Sequence, residues 1–195
     1  NMGGEAVVKK ESSTLAFSAL MALLIGCAGI VATLASNSQA ILLDGLFNLI
    51  YFSVALVTIK VSKLASRPDS ASYPFGYSYF ESLVNLCKGL LILGVSIFAL
   101  VDAIAALLTG GREIAAGLAV LYALFATVAC SLTAWVMHRS QRHVSSPLVA
   151  ADKLNWLVNS VISAAVLAAF CLVMLFEHLG WRAILPYVDS VLVIA

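Results

Sequence analysis

From Thr14 to Ala35 the chain carries no charged side chain. At 1.5 Å per residue, a helix of that length crosses the ~30 Å hydrocarbon core of a bilayer. Comparable apolar runs follow at about 40–62, 81–108, 114–137 and 148–175, and a sixth starts near 184 and runs to Ala195. Six such runs in 195 residues leave room only for short connections. The chain is therefore expected to be an all-α membrane protein, a six-helix transmembrane bundle whose backbone polar groups are satisfied within each helix. Hydrophobic residues make up 62% and charged residues 11% of the chain, against roughly 45–50% and ~25% in soluble domains. So few charges cannot cover a soluble surface, which excludes a cytosolic enzyme and a disordered chain. The formal net charge of +1 gives no basic field for nucleic acid.

The connections carry their own signals. Ser36-Asn37-Ser38-Gln39 and Thr109-Gly110-Gly111-Arg112 read as tight turns, and the polar stretch 63–80 holds the breakers Pro68, Pro74 and Gly76. Residues 1–13 are polar and read as an N-terminal segment ahead of a transmembrane domain over 14–195. Six spans put the amino terminus and the 63–80 and 138–147 loops on one side, with Lys9, Lys10, Lys60, Lys63, Arg67, Arg139 and Arg142. The opposite side has Arg112 and Arg182. Loop charge thus predicts a cytoplasmic amino terminus. The sixth span reaches only ~18 Å by Ala195, so the chain is expected to continue past that residue and complete it.

Intramembrane polar groups are costly and are functional candidates by default. The second span carries Asp44 and Asn48, and the fifth carries Asn155 and Asn159, each pair spaced i, i+4. That spacing projects both members from one helix face. Counted inward from opposite surfaces, the two pairs fall within one helical turn of each other near the midplane. Together they offer four side-chain oxygens to a small cation. The bland alternative is interhelical glue, a common role for asparagine in bilayers. The four cysteines, Cys27, Cys87, Cys130 and Cys171, have no zinc-type spacing and read as small packing residues, with a soft-metal role open for Cys87. His138, His143 and His178 read as solvated loop residues.

Several stretches resemble the cation diffusion facilitator family of metal/proton antiporters: SQAILLDGLFNLIYFSVAL at 38–56, YPFGYSYFESL at 73–83, AADKLNWLVNSVIS at 150–163 and YVDSVLVIA at 187–195. The resemblance implies a four-ligand cation site formed by helices 2 and 5, falling here on Asp44, Asn48, Asn155 and Asn159. Where the family usually has a His or Asp at the first helix-5 position and Asp at the closing positions, this chain has asparagines, so Asp44 alone keeps a carboxylate. The resemblance also implies a homodimer and a cytoplasmic metal-binding domain after span 6. The family's second site, in the loop between helices 2 and 3, is expected to be absent, because that loop has Asp69 but no histidine and Tyr77 stands where some members place one.

One carboxylate with three amides is a set of hard oxygens. It favours manganese, ferrous iron, magnesium, calcium or an alkali ion over zinc. Asp152, one turn before Asn155, is a possible extra ligand. Lys88 is expected to pair with Asp44, Asp102 or a residue beyond Ala195. With no histidine in the set, Asp44 is the expected proton-coupling group. The expected function is divalent-cation efflux by proton antiport and alternating access, in a multi-pass membrane location such as a bacterial inner membrane. No catalytic triad or phosphate loop appears, so neither an enzyme nor a cofactor is expected. Two alternatives stay open: a transport-inactive family member serving as partner subunit in a heteromer, and an unrelated six-span channel.

Overall fold

The computed structural model describes residues 2–65, 79–141, 147–180 and 185–194. They form six helices and, among the described residues, no strand: α1 (Met2–Ser36), α2 (Gln39–Ala65), α3 (Tyr79–Leu108), α4 (Ala116–Gln141), α5 (Pro147–His178) and α6 (Leu185–Ile194). The first five contain segments long and apolar enough to span a membrane, and α6 is short. The expected all-α bundle is the observed one. The first membrane-length apolar segment is Ser13–Ser36, in line with the expected first span, and α1 extends N-terminally from it to Met2. Arg67, Asp69, Tyr77, Arg142, His143 and Arg182 lie outside the described residues.

The helix ends follow from local chemistry. Asn37 takes φ of 59°, a left-handed conformation that asparagine tolerates better than most residues, and its N–H returns to the Thr33 carbonyl at 2.8 Å. Gly110 and Gly111 have φ of 102° and 84°. The Gly111 N–H reaches back to the Ala106 carbonyl at 2.7 Å and closes the end of α3. At the same end of the bundle the Ala115 N–H donates to Ser36 O and the Arg112 N–H to Pro186 O. These bonds gather the α1–α2 and α3–α4 connections and the start of α6 together.

The bundle is organised around α4. Its Ala116, Ala119, Ala123, Ala126, Ala129, Cys130, Thr133 and Met137 are buried at helical spacing. This stripe of mostly small residues brings α1 and α5 close. Two apolar clusters result. Ala22, Ile25, Cys130, Met137 and Trp156 join α1, α4 and α5, while Ile41, Tyr122, Ala126 and Phe170 join α2, α4 and α5. Hydroxyl pairs add cross-links, Thr14 with Ser140 at 2.8 Å and Ser131 with Ser160 at 2.7 Å. By contrast α3 packs only against α2 and α6 among the described residues. Its Leu86, Leu90, Leu93, Phe98 and Val101 are exposed, as a lipid-facing helix requires.

A close approach lies between α1 and α2. A methyl group on Gly29 would sit 2.8 Å from the Gly45 Cα, and one on Gly26 would sit 2.8 Å from the Leu49 side chain. The two backbones are therefore nearly in contact, a geometry that only residues without a side chain permit. Gly45 is next to Asp44, so this contact fixes where Asp44 projects.

Candidate functional site

Helices α2 and α5 do not pack directly on one another among the described residues. Two adjoining cavities lie between them. One, of about 140 Å³, is lined by Asp44, Phe47, Tyr122, Asn159, Ser163 and residues of α6. The other, of about 170 Å³, is lined by Asn48, Tyr51, Asn155, Trp156 and Asn159. Phe47, Asn159 and Ile162 belong to both. The structure thus brings Asp44 and Asn159 to one cavity, and Asn48 and Asn155 with Asn159 to its neighbour. Among the described residues, Asp44 is the only carboxylate lining either cavity.

Each side chain is held in a definite way. The Asn48 amide nitrogen donates to the Asp44 backbone carbonyl at 2.9 Å and makes a longer contact, 3.4 Å, with Asp44 Oδ1. This back-bond one turn down the helix leaves the amide oxygen as the group that Asn48 offers. The Tyr122 hydroxyl donates to Asp44 Oδ2 at 2.5 Å. The Asn159 amide nitrogen donates to Cys130 Sγ at 3.6 Å, and Ser163 Oγ donates to the same sulfur at 3.9 Å. Trp156, which walls the second cavity, is pinned by a 2.7 Å bond from its indole N–H to Ser18 Oγ.

Asp152 lines neither cavity. Its carboxylate is hydrogen-bonded to Ser18 and faces the positive charge of Lys88. Lys88 itself lies over the Tyr51 ring at 3.5 Å, a cation–π contact. Asp102 pairs with Arg112 at 2.8 Å and Asp44 bonds Tyr122, so neither is the Lys88 partner expected from sequence. Among the described residues no three His, Cys, Asp or Glu side chains come together as a metal cluster. Any cation held here is held chiefly by neutral oxygens.

Sequence reasoning does not single out Tyr122 or Ser163, and among the cysteines it sets Cys87 apart, not Cys130. Cys130 is fully buried and accepts the Asn159 amide, whereas Cys27, Cys87 and Cys171 are exposed on the bundle surface. Asp189 was also passed over. It is fully buried and receives the Ser38 hydroxyl at 2.5 Å, the Gln39 N–H at 2.8 Å and the Ala40 N–H at 3.3 Å. A carboxylate in an otherwise apolar sixth run was the visible signal for it.

The cation efflux transmembrane domain family matches residues 15–195. The chain belongs to that family. The cation efflux family comprises metal-efflux transporters and not enzymes, so membership excludes a catalytic role. The manganese efflux system protein MneP of Bacillus subtilis is 24% identical over 181 residues, covering 92% of this chain and 60% of that protein. An uncharacterized transporter of Synechocystis is 24% identical over 78% of the chain and 48% of its own length. The magnetosome protein MamM of Paramagnetospirillum magneticum is 25% identical over 60% of the chain and 37% of its own length. This cation efflux domain spans about half the length of the curated relatives it matches.

Proposed function

We propose that this domain carries a hard divalent cation across the membrane in exchange for protons. The transported ion would pass through the paired cavities between α2 and α5. The reading is carried by one observation: Asp44 and Asn48 of α2 and Asn155 and Asn159 of α5 line adjoining cavities inside a bundle of the cation efflux family. Membership makes a transported metal the expected cargo. The donor chemistry narrows it, because one carboxylate and three amides suit manganese, ferrous iron or magnesium better than zinc. The manganese relative supports manganese as the first ion to test.

In this reading Asp44 supplies the charge that the cation needs and takes up the proton when the cation leaves. Among the described residues it is the only carboxylate on the two cavities. Asn48, Asn155 and Asn159 contribute neutral oxygens, and Asp152 lies apart with Ser18 and Lys88. The reading includes a homodimer, a cytoplasmic amino terminus as the loop charges predict, a bacterial inner-membrane location and a cytoplasmic domain following the sixth span.

The test is proton release from proteoliposomes holding the full-length protein. They are challenged in turn with manganese, ferrous iron, magnesium, calcium and zinc, with Asp44→Ala alongside. The expected result is manganese-driven proton movement that the variant lacks. If no cation moves protons with the folded protein, the transport reading fails and a partner-subunit role takes its place.

A further inference from the structure

The cavity beside Asp44 holds an arrangement that the four-ligand reading does not use. The Tyr122 hydroxyl, on α4, donates to Asp44 Oδ2 at 2.5 Å, and Tyr122 is only 7% exposed. Behind the phenol stands the backbone of α1. A methyl on Gly29 would lie 2.9 Å from the Tyr122 oxygen, so the hydroxyl rests in the notch left by that glycine's missing side chain. The same glycine lets α2 close on α1 beside Asp44, through the Gly29–Gly45 contact. The phenol is thus held against one carboxylate oxygen from one side while α1 blocks its retreat. Among the described residues, the other oxygen, Oδ1, has only the long Asn48 contact of 3.4 Å.

We propose that Tyr122 is a specificity-determining residue, which occupies one oxygen of Asp44 so that the carboxylate meets a cation through a single oxygen. Ions differ in how they tolerate this. Magnesium-like ions take near-octahedral shells and accept one-oxygen carboxylates together with neutral donors. Calcium takes six to eight oxygens and commonly binds a carboxylate through both. A phenol fixed on Oδ2 removes the two-oxygen mode. It biases the site against calcium without adding charge, a case of specificity by exclusion. The proposal rests on the cation-transport reading for the identity of the site.

Tyr122→Phe deletes only the hydroxyl and leaves the ring in its packing. In full-length protein, calcium should then compete with manganese transport about tenfold more strongly, the scale of one hydrogen bond to a charged group. Binding of radiolabelled calcium to detergent-purified protein should rise in parallel and vanish in the Asp44→Asn/Tyr122→Phe double variant. Asp44→Glu, with Tyr122 intact, pushes the carboxylate past the phenol and should gain calcium in the same direction, which covers the case of a Phe variant that fails to fold. Unchanged calcium binding in folded Tyr122→Phe, or a calcium gain that survives in the double variant, overturns the proposal. If the wild-type protein moves no manganese, the transport reading has failed. The calcium-binding comparison still decides the role of Tyr122.

Discussion

Two aspartates attach to α2, and they are opposites in every respect but charge type. Asp189 comes from α6 and meets the first residues of α2, where it takes a hydroxyl and two backbone N–H groups and has no exposed surface. Those N–H groups are the ones a helix start leaves without partners, and a negative charge there is favoured by the helix dipole. Asp44 sits five residues further along and takes one strong bond, from Tyr122, beside a cavity. One carboxylate is saturated and the other has capacity to spare. A saturated buried carboxylate holds structure together, whereas an unsaturated one facing open space is prepared for something that arrives.

The sharpest way to break this comparison is to delete each carboxylate in turn. Asp44→Ala should reduce manganese transport to background while lowering stability by only about 1 kcal/mol, since one hydroxyl loses its acceptor. Asp189→Ala should cost about 3 kcal/mol or more, since three buried donors lose theirs together. Thermal unfolding in detergent measures both, and equal losses would erase the distinction. Next in size is Gly29→Val, whose side chain would collide with Gly45 and the Tyr122 oxygen. Overpacking of this kind costs about 1–3 kcal/mol, and transport should fall with it. Gly94→Ala on α3 is the control. A methyl there meets nothing within 4 Å, so stability should hold or rise by up to about 1 kcal/mol through helix propensity. The smallest effect belongs to Arg112→Ala. Its guanidinium bonds Asp102 and Gln39 at 2.8 and 2.6 Å, but the pair is partly exposed and should contribute no more than about 1 kcal/mol, less at high salt.

The sequence made the bundle plain because hydropathy and turn chemistry are local. Six apolar runs, the Asn37 turn and the Gly110–Gly111 turn could each be read without knowing what packs on what. The facing of Asp44 toward Asn48, and of Asn155 toward Asn159, was legible for the same reason, since i, i+4 spacing is a property of one helix. Tyr122 was not legible. Its contact with Asp44 depends on how closely α1, α2 and α4 converge, and the glycines that set that distance lie on other helices. Lys88 shows the converse. Charge alone suggested an acidic partner, but Asp102 and Asp44 are engaged elsewhere; the ammonium lies over Tyr51, and the carboxylate that faces it is Asp152.

The bonds from Asp189 have a mechanical meaning as well. They pin the first residues of α2 to α6, while the Gly29–Gly45 contact obliges α1 to travel with α2. A helix pinned at one end is a lever with its fulcrum there. The 27 residues of α2 make an arm of about 40 Å, so a tilt of about 5° sweeps the far end through roughly 3.5 Å. Asp44, about 8 Å from the fulcrum, would shift by roughly 0.7 Å in the same tilt. Such a tilt would move the far end of α2 while the carboxylate scarcely leaves its place.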